Sequence, residues 1–128
     1  MRWTLAMAAI LLAIPANAQD VAIDSAVYRE RIDQGEARIE PATRLSRGDR
    51  VVTILTWDAP GRGSYTVTSP VPAGLTLQSA SYPGLEVSTD GGRTWRRPAD
   101  PDRIPRGTTH LRWQVGGDGR MSYRAVVR

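Results

Sequence analysis

The sequence predicts an all-β domain, an Ig-like antiparallel β-sandwich of about seven strands that follows an N-terminal signal peptide. Two observations lead to this fold class. Short segments rich in β-branched and aromatic residues alternate apolar and polar positions, as strands with one buried face do. These segments lie roughly ten residues apart with Gly, Pro and Asp between them, and this spacing is typical of a sandwich.

The N-terminus has the three-part layout of a secretory signal peptide. Residues 1–18 carry one charge, at Arg2, followed by an apolar run over 5–14 and by small residues before a cut between Ala18 and Gln19. The apolar run is shorter than the about 20 residues that a membrane-spanning helix needs. We therefore expect a cleaved leader, with an uncleaved anchor as the alternative, and a single domain over residues 19–128 without a further membrane span.

Composition narrows the classes of function. The chain has 17 basic residues, all arginine, against 13 acidic ones, and its net charge of +4 includes the charge of Arg2. The arginines are scattered, with Arg96–Arg97 as the one adjacent pair, whereas nucleic-acid binders cluster their basic residues on one face. The chain has no cysteine, which excludes disulfides, a thiol nucleophile and zinc–thiolate sites. We expect no nucleic-acid partner and no cofactor.

The strands are predicted from apolar alternation and from the turns that bound each segment. The predicted strand segments are 51–57, 64–71, 75–81, 85–88, 109–115 and 120–128. In the fifth of these, Leu111, Trp113 and Val115 point inward, and His110 lies on the opposite face. The "GGDG" stretch over 116–119 predicts a hairpin between the last two strands.

The region before residue 50 has a weaker pattern. Residues 25–32, "SAVYRERI", fit a first strand or a short helix, and we expect an edge strand because they show no sustained helical stripe. Residues 33–49 predict an irregular connection with a short extended piece at Arg38–Ile39.

The order of the motifs over about residues 45–128 resembles the bacterial conserved repeat domain, known as domain of unknown function number eleven. Gly48–Asp49 and Pro72–Leu75 match its two turn motifs, and "STDGGRTW", "THLRW" and "GRMSYRAVV" resemble its second half. Ser46 or Ser69 stands where the family often has Asp or Pro, and "DAPGRG" replaces its usual "N-x-G". The resemblance implies an Ig-like fold, export and a structural or interaction role, without catalytic residues.

"STDGGRTW", residues 88–95, fits the pattern S-x-D-x-G-x-T-W, which is similar to the Asp-box in the propeller blades of sialidases. A propeller needs several four-stranded blades, which residues 19–128 cannot supply, and the box occurs once. We predict a structural hairpin in which the Asp carboxylate accepts backbone N–H groups, the Ser and Thr pair across the strands and the Trp covers the turn. Its residues are Ser88, Asp90, Gly92, Thr94 and Trp95.

Three kinds of chemical site are the alternatives to this structural interpretation. A calcium site at Asp90 and Asp118 lacks the run of alternating carboxylates that a calcium loop needs. A glycosidase could use Glu86 and Asp58, but nothing in their spacing brings the pair together. A nuclease would depend on His110, which lies on an outward face. We therefore predict no catalytic, cofactor-binding or metal-binding residue.

These observations favour an exported, non-enzymatic module of a Gram-negative bacterium, periplasmic or extracellular, that acts as a structural, accessory or interaction subunit of the envelope. Its expected partner is another envelope or surface protein, and polysaccharide is the alternative. A carbohydrate-binding module is the second hypothesis, because Trp57, Trp95 and Trp113 could present aromatic rings, although core packing explains them as well. A small secreted hydrolase is the third hypothesis.

Overall fold

The computed structural model describes residues 21–59, 61 and 63–128, together with the backbone of residues 2–3. The predicted signal peptide and its cleavage site, Ala18 and Gln19, therefore lie almost entirely outside the described residues. The described residues contain strands and turns but no helix. The strands are β1 (Arg2–Trp3), β2 (Ala22–Asp33), β3 (Glu36–Pro41), β4 (Leu45–Ser46), β5 (Arg50–Asp58), β6 (Tyr65–Pro70), β7 (Leu75–Ala80), β8 (Glu86–Ser88), β9 (His110–Val115) and β10 (Gly119–Val127).

The strands form an all-β sandwich of two antiparallel sheets, which confirms the predicted fold class. The five-stranded sheet has the order β3-β2-β5-β10-β7, the three-stranded sheet has the order β6-β9-β8, and β1 pairs with β4 in a separate short ladder. Alternation along the strands places one apolar row of each sheet in a shared core. In β10, Met121, Tyr123, Ala125 and Val127 are all buried, as their spacing predicts.

An aromatic cluster joins the two sheets. The ring centroids of Trp57 on β5 and Trp113 on β9 are 5.7 Å apart, and Tyr82 lies 5.7 Å from the first and 6.5 Å from the second. The Tyr82 hydroxyl donates to the Gln114 carbonyl at 2.8 Å. A glycine is needed opposite Trp57, since a Cβ at Gly119 would lie 2.8 Å from the indole ring.

Two predictions for the N-terminal half are wrong. The segment over 25–32 is a strand, as expected, but it is not at the edge, because β2 pairs with both β3 and β5. The connection over 33–49 is more regular than expected, since the extended piece that was correctly expected at Arg38–Ile39 is part of a longer strand, β3. The reason is a two-residue turn at Gln34 and Gly35, whose φ values of 52° and 82° are the left-handed pair that closes a tight hairpin.

The hairpin expected at "GGDG" is also absent. Strands β9 and β10, on either side of residues 116–118, belong to different sheets, so this turn carries the chain from one layer of the sandwich to the other. The Asp118 carboxylate accepts a hydrogen bond from the Ala59 backbone N–H at 3.3 Å, which ties the turn to the end of β5. The turn at Gly74, whose φ is positive as expected, crosses between the layers in the same way from β6 to β7.

Candidate functional site

The Asp-box forms a turn that is closed around the carboxylate of Asp90. Its Oδ1 accepts hydrogen bonds from the Ser88 hydroxyl at 2.7 Å and from the backbone N–H groups of Thr94 at 2.9 Å and Arg93 at 3.1 Å. Its Oδ2 accepts the Thr94 hydroxyl at 2.6 Å. These donors, with those of Thr94 first, hold the pKa of Asp90 well below its usual range. The carboxylate is therefore committed to the turn as a structural acceptor.

One detail of the predicted box is wrong, because Ser88 and Thr94 do not pair with each other across two strands. Each hydroxyl donates to the Asp90 carboxylate, which lies between them. Ser88 is 1% exposed, and its oxygen also accepts the Gly92 backbone N–H at 2.8 Å. The two chain segments are instead joined by the residues that flank the box, Val87 and Arg96, which exchange backbone hydrogen bonds of 2.8 and 3.0 Å.

Trp95 is partly buried and lies against the box, as expected. A Cβ atom added at Gly92 would lie 3.7 Å from the Cζ2 atom of the Trp95 ring, so the ring covers the turn. The Arg112 guanidinium lies 4.4 Å from the centroid of the same ring and donates two hydrogen bonds to Glu86, at 3.0 and 3.1 Å. The ring thus forms one stack with the cation of β9, a geometry in which the two groups attract.

The other two tryptophans of the domain are core residues. Trp57 is 5% exposed and Trp113 is 1% exposed. The burial of Trp113 agrees with its alternation with Leu111 and Val115. The sequence did not predict on which side Trp57 lies, because its strand is apolar on both faces, and the structure places it in the core. A sugar-binding platform needs at least two rings in a row on a solvated face, and of these three tryptophans Trp95 alone has a partly exposed ring.

The residues that the sequence offered as candidates for a chemical site each interact with a different part of the domain. Glu86 is paired with Arg112, and Asp118 caps a turn. The Nδ1 atom of His110 lies 2.9 Å from the Thr109 hydroxyl. Among the described residues, no group of three or more His, Cys, Asp or Glu side chains could hold a metal ion. No helix within this part of the chain is long and apolar enough to cross a membrane.

The β2–β3 hairpin extends past the sandwich as an exposed arm, defined here as residues 31–39. Strand β2 pairs with β5 up to Glu30, so that from Arg31 onward the two strands of the hairpin pair only with each other. Every residue of the arm is exposed. Ile32 and Ile39 remain 68% and 50% exposed, on the same face in diagonal positions. A two-stranded ribbon of this kind is marginally stable alone.

Strand β3 is an edge of the five-stranded sheet, and the residues that the structure describes add no strand beyond it. The other edge, β7, is covered by a loop, because the Ala80 N–H donates to the Pro101 carbonyl and the Ile104 N–H donates to the Gln78 carbonyl. Unpaired edges template the binding of further strands, and a proline on the edge is one way in which proteins limit this. Pro41 occupies that position at the end of β3.

The arm is the candidate site that sequence reasoning missed. The alternation of Glu36, Arg38 and Glu40 with Ala37 and Ile39 was a strand signal, but it was hidden by the weak turn "QG" and by the lack of an apolar run. Ile32 was assigned to an expected edge strand and Ile39 to a short extended piece, and neither was predicted to be an exposed contact residue. Comparison of the chain with protein-family models, with curated proteins and with solved structures gives no significant match.

Proposed function

We propose that this chain is an exported, non-enzymatic, Ig-like module that acts by contact, as a structural, accessory or protein-interaction subunit of a bacterial envelope. The observation that carries the proposal is the arm, which presents two exposed isoleucines on a ribbon that the core does not bury. Large exposed apolar side chains grouped on one face mark interaction sites. The resemblance to the conserved repeat domain and the signal-peptide pattern of residues 1–18 support export and an envelope partner.

The arm suits protein contact because it offers two kinds of recognition at once. The apolar face, with Ile32 and Ile39, can lose water when a partner covers it. The free edge of β3 can add backbone hydrogen bonds to an extended segment of that partner. The opposite face of the ribbon is charged, with Arg31, Arg38 and Glu36 exposed, and charges of this kind orient a partner without contributing much affinity.

A carbohydrate-binding module remains the second candidate, and Trp95 is the observation that favours it. The ring is partly exposed on the outer side of the three-stranded sheet, close to Glu86 and Arg112, which can donate and accept hydrogen bonds. However, the Arg112 guanidinium stacks on the ring, so that this face is not free for a sugar. A partner protein at the arm therefore explains more of the exposed apolar surface.

The test compares two variants in cells that export the protein. Ile32→Ser combined with Ile39→Ser removes the apolar face of the arm, and Trp95→Ala removes the exposed ring. We expect the double variant to be released from the native envelope complex, measured as loss of the high-mass peak on size-exclusion chromatography of a mild envelope extract. Its melting temperature should stay near that of the unmodified protein, because both isoleucines are exposed.

The two variants give opposite outcomes for the two candidates. Release by Trp95→Ala, with retention of the arm variant, would favour the carbohydrate-binding candidate, and added polysaccharide should then compete with the complex. A complex that both folded variants retain would contradict the proposal, because neither exposed apolar feature would then be in use.

A further inference from the structure

The exposed edge of β3 has a hydrogen-bonding pattern that the backbone determines. The Ala42 N–H donates to the Val27 carbonyl at 3.2 Å, so residue 42 points its backbone groups toward β2. In an antiparallel pair, alternate residues point their N–H and C=O groups to opposite sides. Residues 36, 38 and 40 therefore also face β2, whereas Ala37, Ile39 and the Pro41 carbonyl face away from it.

The charged residues of β3 lie on one face of the strand and alternate in sign. Glu36, Arg38 and Glu40 share one face, and Ala37 and Ile39 share the other. Within its own hairpin two of these three charged positions are poorly matched, because Arg38 lies directly opposite Arg31 and Glu36 lies directly opposite Asp33. The third, Glu40, lies opposite Arg29 and forms an ion pair with it. Like charges directly opposite each other destabilise a strand pair. Among the described residues, no carboxylate is within ion-pair distance of Arg38.

From these two patterns we infer that the arm binds a second copy of this chain, by antiparallel pairing of β3 with β3 about a two-fold axis at Ile39. The inference rests on the proposed function, since it names the partner of the same arm. In a pairing through the free edge, residues whose backbone groups face away from β2 must lie opposite each other. The two-fold axis therefore passes through a residue and not between two residues. Five such axes lie within residues 37–41. An axis at 40 would place Glu40 against the partner's Glu40, and an axis at 41 would pair two prolines that lack an N–H, which leaves the axes at residues 37, 38 and 39.

The charges exclude one of the three axes, and the turn excludes another. An axis at 38 would place Arg38 against the partner's Arg38 and Glu36 against the partner's Glu40, which repel. An axis at 37 would also place Arg38 opposite an acidic residue, the partner's Glu36, but it would place Ile39 opposite Gly35, which belongs to the turn. An axis at 39 places Arg38 opposite the partner's Glu40 twice, at the non-hydrogen-bonded pairs where side chains lie closest. It also uses the whole of β3.

With the axis at Ile39, the backbone groups that face away from β2 can form hydrogen bonds with those of the partner. The two copies of Ile39 exchange two backbone hydrogen bonds, and Ala37 donates one to the partner's Pro41 carbonyl in each direction. Pro41 has no N–H to donate, but its nitrogen faces away from β2, so no hydrogen bond within the chain is lost. The ladder between the two copies of β3 ends at this residue. Glu40 can take the new contact, because its hydrogen bonds to Arg29 and Arg31 all end on Oε1, so that Oε2 can accept a further one.

The first experiment is a charge swap read by sedimentation velocity. We expect the unmodified protein to self-associate to a two-chain species at concentrations up to about 1 mM. Arg38→Glu should weaken this association about tenfold or more, since each ion pair becomes a repulsive pair. Glu40→Arg should weaken it in the same way. A mixture of the two variants should recover the two-chain species, because the carboxylate introduced at position 38 of one chain would then lie opposite the guanidinium introduced at position 40 of the other.

A second measurement does not depend on Glu40, whose replacement also removes the bonds to Arg29. The chain has no cysteine, so a single one can be introduced without background. Ile39→Cys places the thiols across the two-fold axis, at the Cα separation of about 5.5 Å that a disulfide accepts. Ile32→Cys is the matched control, because Ile32 is a more exposed isoleucine on the same face and the axis keeps it apart from its copy.

We expect Ile39→Cys to form a disulfide-linked dimer under mild oxidation and Ile32→Cys to stay a monomer. The inference is overturned if the unmodified protein remains a monomer over the whole range. It is also overturned if Ile32→Cys links as fast as Ile39→Cys, or if two folded charge variants fail to recover association on mixing. A monomer whose arm still holds the native envelope complex would overturn this inference alone and leave the proposed function standing.

Discussion

Replacing Trp113 by Ala is expected to lower the free energy of unfolding by about 3–5 kcal/mol, because it removes the largest fully buried side chain of the core. The ring packs against Trp57 and Tyr82 at the junction of the two sheets, so its loss opens a cavity where the layers meet. A domain has about 5–15 kcal/mol in total, and the described residues contain no disulfide to compensate. The variant should therefore unfold at a much lower denaturant concentration.

Chemical denaturation followed by far-ultraviolet circular dichroism measures this effect. Trp95→Ala is the matched control, since it removes the same side chain from a partly exposed position and should cost much less. Similar losses for the two variants would mean that the ring of Trp113 is not between the sheets. Acrylamide quenching of single-tryptophan variants gives an independent check, with Trp57 and Trp113 protected and Trp95 accessible.

Replacing Ser88 by Ala is expected to lower the free energy of unfolding by about 1–3 kcal/mol, because the partly buried Gly92 N–H loses the buried Ser88 hydroxyl as its acceptor. Asp90→Ala should also reduce stability, since the Thr94 hydroxyl and two backbone N–H groups would lose their common acceptor. Binding at the arm should persist in the folded fraction of both variants. Loss of binding at an unchanged melting temperature would instead make the box a functional site.

The Asp90 carboxylate also makes the turn sensitive to acid. Its donors lower the pKa in the folded state, so the unfolded chain binds the proton more readily. The stabilising contribution is therefore present above the ordinary carboxyl range and is lost as the pH falls below about 4. The difference in melting temperature between the unmodified protein and Asp90→Asn should shrink as the pH is lowered from about 6 to about 3. A difference that is independent of pH would contradict the assignment.

The sandwich could be predicted because its signals are local and repeated. Alternation in β9 and β10 identified the buried rows of both strands, and the carboxylate of Asp90 was recognised as the acceptor of its own turn. The division into two sheets could not be read in the same way. The turns at Gly74 and at residues 116–118 have the chemistry of hairpins, yet each crosses between layers, because turn residues determine local geometry and not which strands pair afterward.

The arm was missed for a different physical reason. Its residues face water on both sides, so the alternation of charged residues with Ala37 and Ile39 is short and lacks the large apolar residues of a buried strand. The turn at Gln34 places a non-glycine residue at positive φ, a position where Asn or Asp would have been a recognisable signal. The prediction that Ser88 and Thr94 pair with each other was wrong. Two hydroxyls can form one hydrogen bond between them, whereas the Asp90 carboxylate accepts a hydrogen bond from each.

Site-specific photo-crosslinking in exporting cells tests most directly whether the chain acts through its arm. A photoreactive amino acid replaces Ile39 in one variant and Thr68, on the outward side of the three-stranded sheet, in the other. We expect a discrete higher-mass product from position 39 on illumination and none from position 68. A product from position 68 with none from position 39 would contradict the claim that the arm is the contact surface of this protein.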